Sequence, residues 1–260
     1  MQFFRSLWRL CLVVAYFAYA SVELAITRPR TRPERAAWLS RFCARVLRAL
    51  GVTYTVNGPI PTSGAVISNH LSSLDILLHS ATRPCVFVSK IELRHVPVLG
   101  WMSFMSGTVY VARGQGGSAS KAAEGMAKGF RDGLPVVFFP EGTTGVGDEL
   151  AMPFKSGLLA QSIEAGAPIV PSFITYAISA RDKAAGKTLR DDLHWGPHSL
   201  VDHVWRLVSL HGMHATVQFG EAPIHFTEAA VADRKIAAVE AREAVIHLSS
   251  APASWPETGF

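Results

Sequence analysis

The sequence predicts an α/β domain, a mixed and largely parallel sheet flanked by helices, preceded by an N-terminal two-helix membrane-associated element. Three observations lead there. Short apolar runs rich in Val, Ile and Phe recur along residues 51–260 with helix-length segments between them, the pattern of strands joined by crossover helices. Gly and Pro punctuate the joins, as at Asn57-Gly58-Pro59 and Gly133. Ahead of this lies a long apolar stretch followed by an arginine-rich amphipathic one. That contrast divides the chain into anchoring helices at 1–50 and an α/β domain at 51–260.

Leu10 to Ile26 is apolar apart from Ser21 and Glu23, and is slightly short of the ~20 residues of a straight bilayer crossing. A signal peptide competes with a membrane helix here, since Arg5 and Arg9 precede the apolar run and Ala-Tyr-Ala resembles a cleavage site. Arg28, Arg30, Arg32 and Arg35 crowd the far flank and favour the cytoplasmic side of a membrane. Residues 36–51 then place Trp38, Leu39, Phe42, Val46, Leu47 and Leu50 on one helical face and Arg41, Arg45 and Arg48 on the other. Such a helix suits an anionic leaflet, or packs its apolar face on the main domain.

In the main domain, strands are expected at 52–56, 64–68, 85–89, 108–112, 134–139, 169–177 and 215–219. Helices are expected at 75–82, 93–105 (despite Pro97), 118–131, 155–165, 198–210 and 228–248. In such sheets the chemistry collects in loops beyond the carboxyl ends of the strands. Ser68-Asn69-His70-Leu71-Ser72-Ser73-Leu74-Asp75 and Phe139-Pro140-Glu141-Gly142-Thr143-Thr144 both leave strands at that kind of position.

Composition narrows the partners. Apolar residues make up 49% of the chain, charged residues 17%, and the net charge is +5. A basic, apolar chain favours anionic partners, and without a dense Lys/Arg tract or a nucleic-acid motif the expected partner is membrane lipid, with no nucleic acid. Cys11, Cys43 and Cys85 form neither a disulfide framework nor a zinc spacing. They read as reduced, buried residues in a cytosolic setting, and no metal ligand cluster is expected.

His70 and Asp75 admit two explanations. If Ser72 caps a helix, Asp75 at its third position completes a capping-box-like Ser-x-x-Asp. That leaves His70 and Asn69 unexplained. Alternatively, His70 is a general base at a strand's carboxyl end, and Asp75 fixes its tautomer and stabilises its protonated form. Glu141, Gly142 and Thr143 offer a carboxylate, freed backbone amides and a hydroxyl, unless they are an ordinary polar turn. Lys155 lies near a helix start, where an anion is favoured. Arg113 follows a strand and can fork onto a phosphate or remain a solvated charge. Pro171 inside an apolar strand marks an edge, a bulge or the rim of a site.

Taken in order, Asn69–Asp75, Tyr110-Val111-Ala112-Arg113-Gly114, Phe139–Thr144, Pro153–Gly157 and Pro168–Pro171 resemble the glycerolipid acyltransferase family, over roughly residues 36–225. That family includes 1-acylglycerol-3-phosphate acyltransferases and their lysophospholipid relatives. The resemblance implies His70 as general base on the acceptor hydroxyl and Asp75 as its orienting partner. It implies Arg113 as a binder of the acceptor head, Glu141, Gly142 and Thr143 as the wall of the acceptor site, and Pro171 as part of the acyl-donor side. The co-substrate would be acyl-CoA or acyl-carrier protein, with no metal or redox cofactor. Members that form phosphatidic acid usually carry Glu-Gly-Thr-Arg, where this chain has Thr144 in the arginine's place, with Lys155 as a possible substitute charge. Relatives with Glu-Gly-Thr-Thr include enzymes acting on lysophospholipids and on lyso-ornithine lipid, and residues 194–207 also look like that branch. The function the resemblance implies is acylation of a lyso-glycerolipid of the 1-acylglycerol-3-phosphate type, with lyso-ornithine lipid or another lysophospholipid as the alternative acceptor. The competing readings are a thioesterase or esterase using His70 and Asp75 with a serine, though no Gly-x-Ser-x-Gly elbow is present, and a non-catalytic lipid-binding protein.

Overall fold

The computed structural model describes residues 2–96, 99–111, 118–196 and 198–250. Helices α1 (Gln2–Thr27) and α2 (Arg32–Leu50) lead into strand β1 (Val52–Asn57). The chain continues through β2 (Ala65–Ser68), α3 (Leu74–Thr82), β3 (Val86–Lys90), α4 (Leu99–Met105), β4 (Val109–Val111) and α5 (Ser118–Arg131). Then come β5 (Val136–Phe138), α6 (Ser156–Glu164), β6 (Ile169–Ile178), α7 (Ala180–Ala184), α8 (Leu200–Ser209) and β7 (Met213–Phe219). Helices α9 (Glu228–Ala232) and α10 (Arg234–His247) follow.

The strands form one sheet in the order β1-β7-β6-β2-β5-β3-β4, parallel throughout except where β6 meets β7. The mixed, largely parallel sheet expected from the sequence is therefore present. β2 and β5 are buried along their whole length, which is why they read as unbroken apolar runs rather than alternating ones. One face carries a core of Leu24 from α1, Trp38 and Leu47 from α2, Leu74 and Leu78 from α3, and Leu207 from α8. The other face is covered by Met126 from α5, Leu159 from α6, and Ala241 and Val245 from α10.

This layering positions the site. The adjacent strands β2 and β5 send their following helices to opposite faces: α3 packs on the first core and α6 on the second. A crevice opens at the carboxyl ends of two such strands, where the winding reverses. His70 follows β2 and Glu141 follows β5, so both lie beside it.

Several expectations are corrected. The apolar face of α2 does not meet lipid: Trp38, Phe42, Val46, Leu47 and Leu50 are buried in the first core, with Trp38 stacked on Phe42. An amphipathic helix has the same sequence pattern whichever apolar medium covers it. Of the two N-terminal helices it is α1 that keeps an exposed apolar face, with Phe3, Phe4, Trp8, Val14, Val22 and Ile26, and it is long and apolar enough to cross a membrane. Its inner edge is tied down at both ends. The Arg5 guanidinium donates to the Ser209 carbonyl (2.8 Å), Arg9 donates to the Leu210 and His211 carbonyls, and Glu23 pairs with Arg45 (2.9 Å).

Cys11 is exposed rather than buried, whereas Cys43 and Cys85 are buried as expected. The helix expected at 93–105 is a 3₁₀ turn at Ile91–His95 followed by α4, and Pro97 lies outside the described residues. The C-terminal helix is broken at Asp233, whose side chain caps α10 by accepting from the Lys235 amide (2.7 Å). Helix α7 and a π-helical turn at Leu189–Leu193 fall where the sequence indicated no element.

The contrast between the two N-terminal helices is testable with two tryptophans. Trp38→Ala should lower the unfolding free energy by about 3–5 kcal/mol, the cost of emptying a large core site. Trp8→Ala, on the exposed face of α1, should stay within about 0.5 kcal/mol of wild type but sediment less with anionic vesicles. A Trp38→Ala protein of wild-type stability that has lost vesicle binding would overturn the packing of α2.

Candidate active site

The loop from Asn69 to Asp75 begins with an interlock between strands. Buried Asn69 donates its side-chain amide to the Ile174 carbonyl (3.0 Å) and accepts from the Ile174 amide (2.7 Å). It thus extends the β2–β6 ladder one step beyond Ser68↔Ser172 with a side chain in place of backbone. The main chain is released, and His70 leaves the sheet.

Asp75 closes the loop. Its carboxylate is fully buried, and Oδ2 accepts from the Leu71 amide (2.7 Å), the Ser72 amide (2.9 Å) and His70 Nδ1 (2.8 Å). Oδ1 accepts from the Tyr176 hydroxyl. The expected capping box is absent. Ser73 occupies the cap position of α3 without a side-chain cap, and Asp75 turns back to bind amides upstream of it. The acid is therefore a hub for the loop rather than a reciprocal cap.

The His70 imidazole lies flat against the Phe139 ring, with centroids 4.0 Å apart and planes at 12°. An ionised carboxylate only accepts, so Nδ1 carries the hydrogen facing Asp75 and Nε2 keeps its lone pair. Among the described residues Nε2 has no hydrogen-bond partner, and the side chain is 15% exposed. A base with this geometry can take a proton from a hydroxyl placed at Nε2.

Glu141 braces the same loop from β5. Its Oε1 accepts from the His70 amide (2.8 Å), and the Gly145 amide donates to the His70 carbonyl (2.8 Å). Gly142 adopts a left-handed φ of 71°, which lets its amide close a turn onto the Phe139 carbonyl (3.0 Å). Thr143 is exposed on that turn. Lys155 is exposed at the cap of α6, its amide bonded to the Pro140 carbonyl (2.8 Å). Pro171 lies in a central strand, not an edge. Its missing N–H falls just before β7 begins to pair at Ser172↔Phe219, and alternation places it with Ile169 and Phe173, on the face opposite Ile174 and Tyr176. Arg113 lies outside the described residues. The structure thus gathers His70, Asp75, Glu141 and Gly142, and sets Pro171 apart on the other face.

A third layer was not anticipated. The Thr144 hydroxyl donates to the Trp195 carbonyl (2.7 Å), and the Trp195 amide donates to the Leu71 carbonyl (2.8 Å). The Trp195 ring stacks on His203 (5.2 Å), whose Nε2 meets the Ser73 hydroxyl at 2.9 Å. This is no second catalytic pair. Burial pushes His203 down to about 4, and its Nδ1 has no partner among the described residues, so no carboxylate orients it. His79, its ring tilted against Phe139, is also pushed down to about 4 by burial. Tyr176 and Asn69 were missed as site residues; β6 also carries hydroxyls at Ser172 and Thr175, so nothing in the strand's sequence singled out the first.

Burial pushes Glu141 up to about 7 from the usual 4.5, against the pull of hydrogen bonds from the His70 and Met152 amides. A carboxyl raised in the folded state stabilises below its unfolded pKa, and that stability is lost as the pH rises through the folded value. The window is therefore about pH 4.5 to 7, and the change is worth about 3 kcal/mol. In Glu141→Gln the acceptor remains and the titration does not. The stability of wild type relative to this variant should fall by about 3 kcal/mol between pH 4.5 and 8, measured by urea unfolding. A difference independent of pH would contradict this environment for Glu141.

Residues 52–175 match the family model described as Acyltransferase. The chain is 34% identical to a lyso-ornithine lipid O-acyltransferase of Pseudomonas aeruginosa over 66% of its own length and 62% of that protein's. It is 30% identical to a 1-acyl-sn-glycerol-3-phosphate acyltransferase of Neisseria meningitidis serogroup B, over 84% of each chain. The fold is that of the crystal structure of the 1-acyl-sn-glycerophosphate acyltransferase PlsC from Thermotoga maritima, with a TM-score of 0.64 over 99% of this chain and 100% of that one at 21% identity. The histidine and aspartate held at the β2 crevice thus sit within the matched segment, and the chain belongs to the acyltransferase family.

Proposed function

We propose that this chain is an O-acyltransferase that moves a fatty acyl group from the thioester of acyl-CoA or acyl-carrier protein to the free hydroxyl of a lyso-lipid in membrane lipid synthesis. The observation that carries this is the His70 imidazole, fixed by Asp75 through Nδ1 with Nε2 free of hydrogen-bond partners among the described residues. His70 Nε2 removes the hydroxyl proton as the acceptor oxygen attacks the thioester carbonyl. The new C–O bond forms, the C–S bond breaks, and the departing phosphopantetheine thiolate takes the proton back from the imidazolium. Buried Asp75 stabilises that transient cation. Neither metal nor redox cofactor enters the step. Glu141, Gly142 and Thr143 shape the acceptor side of the crevice, with Lys155 and Arg113 as the cations for its head group.

The acceptor favoured here is lyso-ornithine lipid rather than 1-acylglycerol-3-phosphate. Thr144 stands where phosphatidic-acid-forming relatives carry arginine, and its hydroxyl is engaged by the Trp195 carbonyl. A forked, charge-assisted partner for a phosphate monoester is missing at that position. The similarity to lyso-ornithine lipid O-acyltransferases supports the same acceptor.

Membrane association follows from the exposed apolar face of α1, which contacts α8 where the Phe3 and Trp205 rings meet at 6.2 Å. Because the inner edge of α1 is held against the domain near both ends, entry into one leaflet on the cytoplasmic side is preferred to a crossing.

Initial rates with labelled acyl-CoA on lyso-ornithine lipid and lysophosphatidic acid test the proposal together with one substitution. Wild type should prefer the ornithine acceptor. His70→Ala should lose at least about 10³-fold of the rate on either acceptor, with its unfolding transition intact. A large preference for the phosphate acceptor overturns the acceptor assignment. A folded, active His70→Ala overturns the mechanism.

A further inference from the structure

Tyr176 is buried in β6, and its hydroxyl donates to Oδ1 of Asp75 while His70 holds Oδ2. It lies two residues beyond Ile174, the residue clamped by Asn69, on the same face of the strand. The segment that launches His70 from the sheet is thus braced by the strand that supplies the fourth donor to Asp75. Burial and the Asp75 charge hold the Tyr176 hydroxyl well above its ordinary value, so it is a neutral donor throughout the working range.

A donor on the second oxygen of a carboxylate has two physical effects. It fixes the rotation of the carboxylate plane, and so the direction of the Oδ2 lone pair toward Nδ1. It also stabilises the anion, which weakens the pull of Asp75 on a protonated imidazole. The first keeps Nε2 aimed; the second lets the imidazolium give up its proton to a thiolate.

We propose that Tyr176 is a positioning residue of the His70–Asp75 pair, setting through Asp75 both the orientation of the imidazole and how tightly it holds its proton during acyl transfer. The inference rests on His70 acting as the base. Among the described residues, the other titratable groups facing the pair are His79 on α3, Glu141 after β5 and His203 on α8. Both histidines are kept neutral by burial. Glu141 titrates near 7, in the range where the base is assayed, so its contribution must be separated.

The test is the pH dependence of kcat/KM for wild type and Tyr176→Phe, each also in a Glu141→Gln background. Rates are normalised to the folded fraction from circular dichroism. Loss of the hydroxyl should lower kcat about tenfold, change KM for acyl-CoA and for the lyso-lipid less than about twofold, and move the acid limb upward by about half a pH unit or more. The shift should survive in the Glu141→Gln background. Adding Tyr176→Phe to Asp75→Asn should cost nothing further, because the hydroxyl acts only through that carboxylate. Superimposable normalised profiles, or additive losses in the double variant, overturn the proposal. If Asp75→Asn itself retains wild-type activity, the base assignment fails first, and the role of Tyr176 falls with it.

Discussion

A carboxylate with no solvent exposure must be satisfied by the protein, and Asp75 is satisfied by four donors from two places in the chain. Two are amides of its own loop, one is the His70 ring, and one is a hydroxyl about a hundred residues away. Removing water makes each of these bonds stronger and each omission costly. The loop conformation, the tautomer of His70 and the seating of α3 against the sheet are therefore one arrangement. Placing an ionised group in the core is the condition under which the imidazole has a single orientation.

The sheet makes that arrangement possible. Because β2 lies between β5 and β6, its carboxyl end is reached from both sides. From β6 come the Ile174 backbone, clamped by Asn69, and the Tyr176 hydroxyl. From the segment that follows β5 come Phe139, which stacks on the imidazole, and Glu141, which accepts from the His70 amide. The loop carrying Trp195 then covers the far side through Thr144 and Leu71. Thr144 is consequently more than an absent arginine: it fastens a neighbouring wall of the crevice.

The strands were legible because a parallel sheet covered on both faces leaves continuous apolar runs such as Ala65–Ile67 and Val136–Phe138. His70 and Asp75 were legible as a pair from their spacing and from the ordered motifs around them. Their geometry was not, since Ser-x-x-Asp fits a capping box equally well and only the fold decides which amides the carboxylate meets. The fate of α2 was ambiguous for a related reason: Trp38 and Phe42 give the same pattern against a core as against lipid. Tyr176 and Asn69 were hidden more deeply. Their roles depend on the β2–β6 register, a long-range pairing that local periodicity does not encode.

The chemistry rests on Asp75 holding His70 with its hydrogen on Nδ1 and its lone pair on Nε2. Nitrogen-15 NMR of histidine-labelled protein, with the His70 signals assigned by their loss in His70→Asn, reports this directly in the resting enzyme. The expected result is a protonated Nδ1 and an unprotonated Nε2 on the alkaline side of the acid limb. In Asp75→Asn that preference should weaken. A neutral His70 carrying its hydrogen on Nε2 would rule out this role for Asp75.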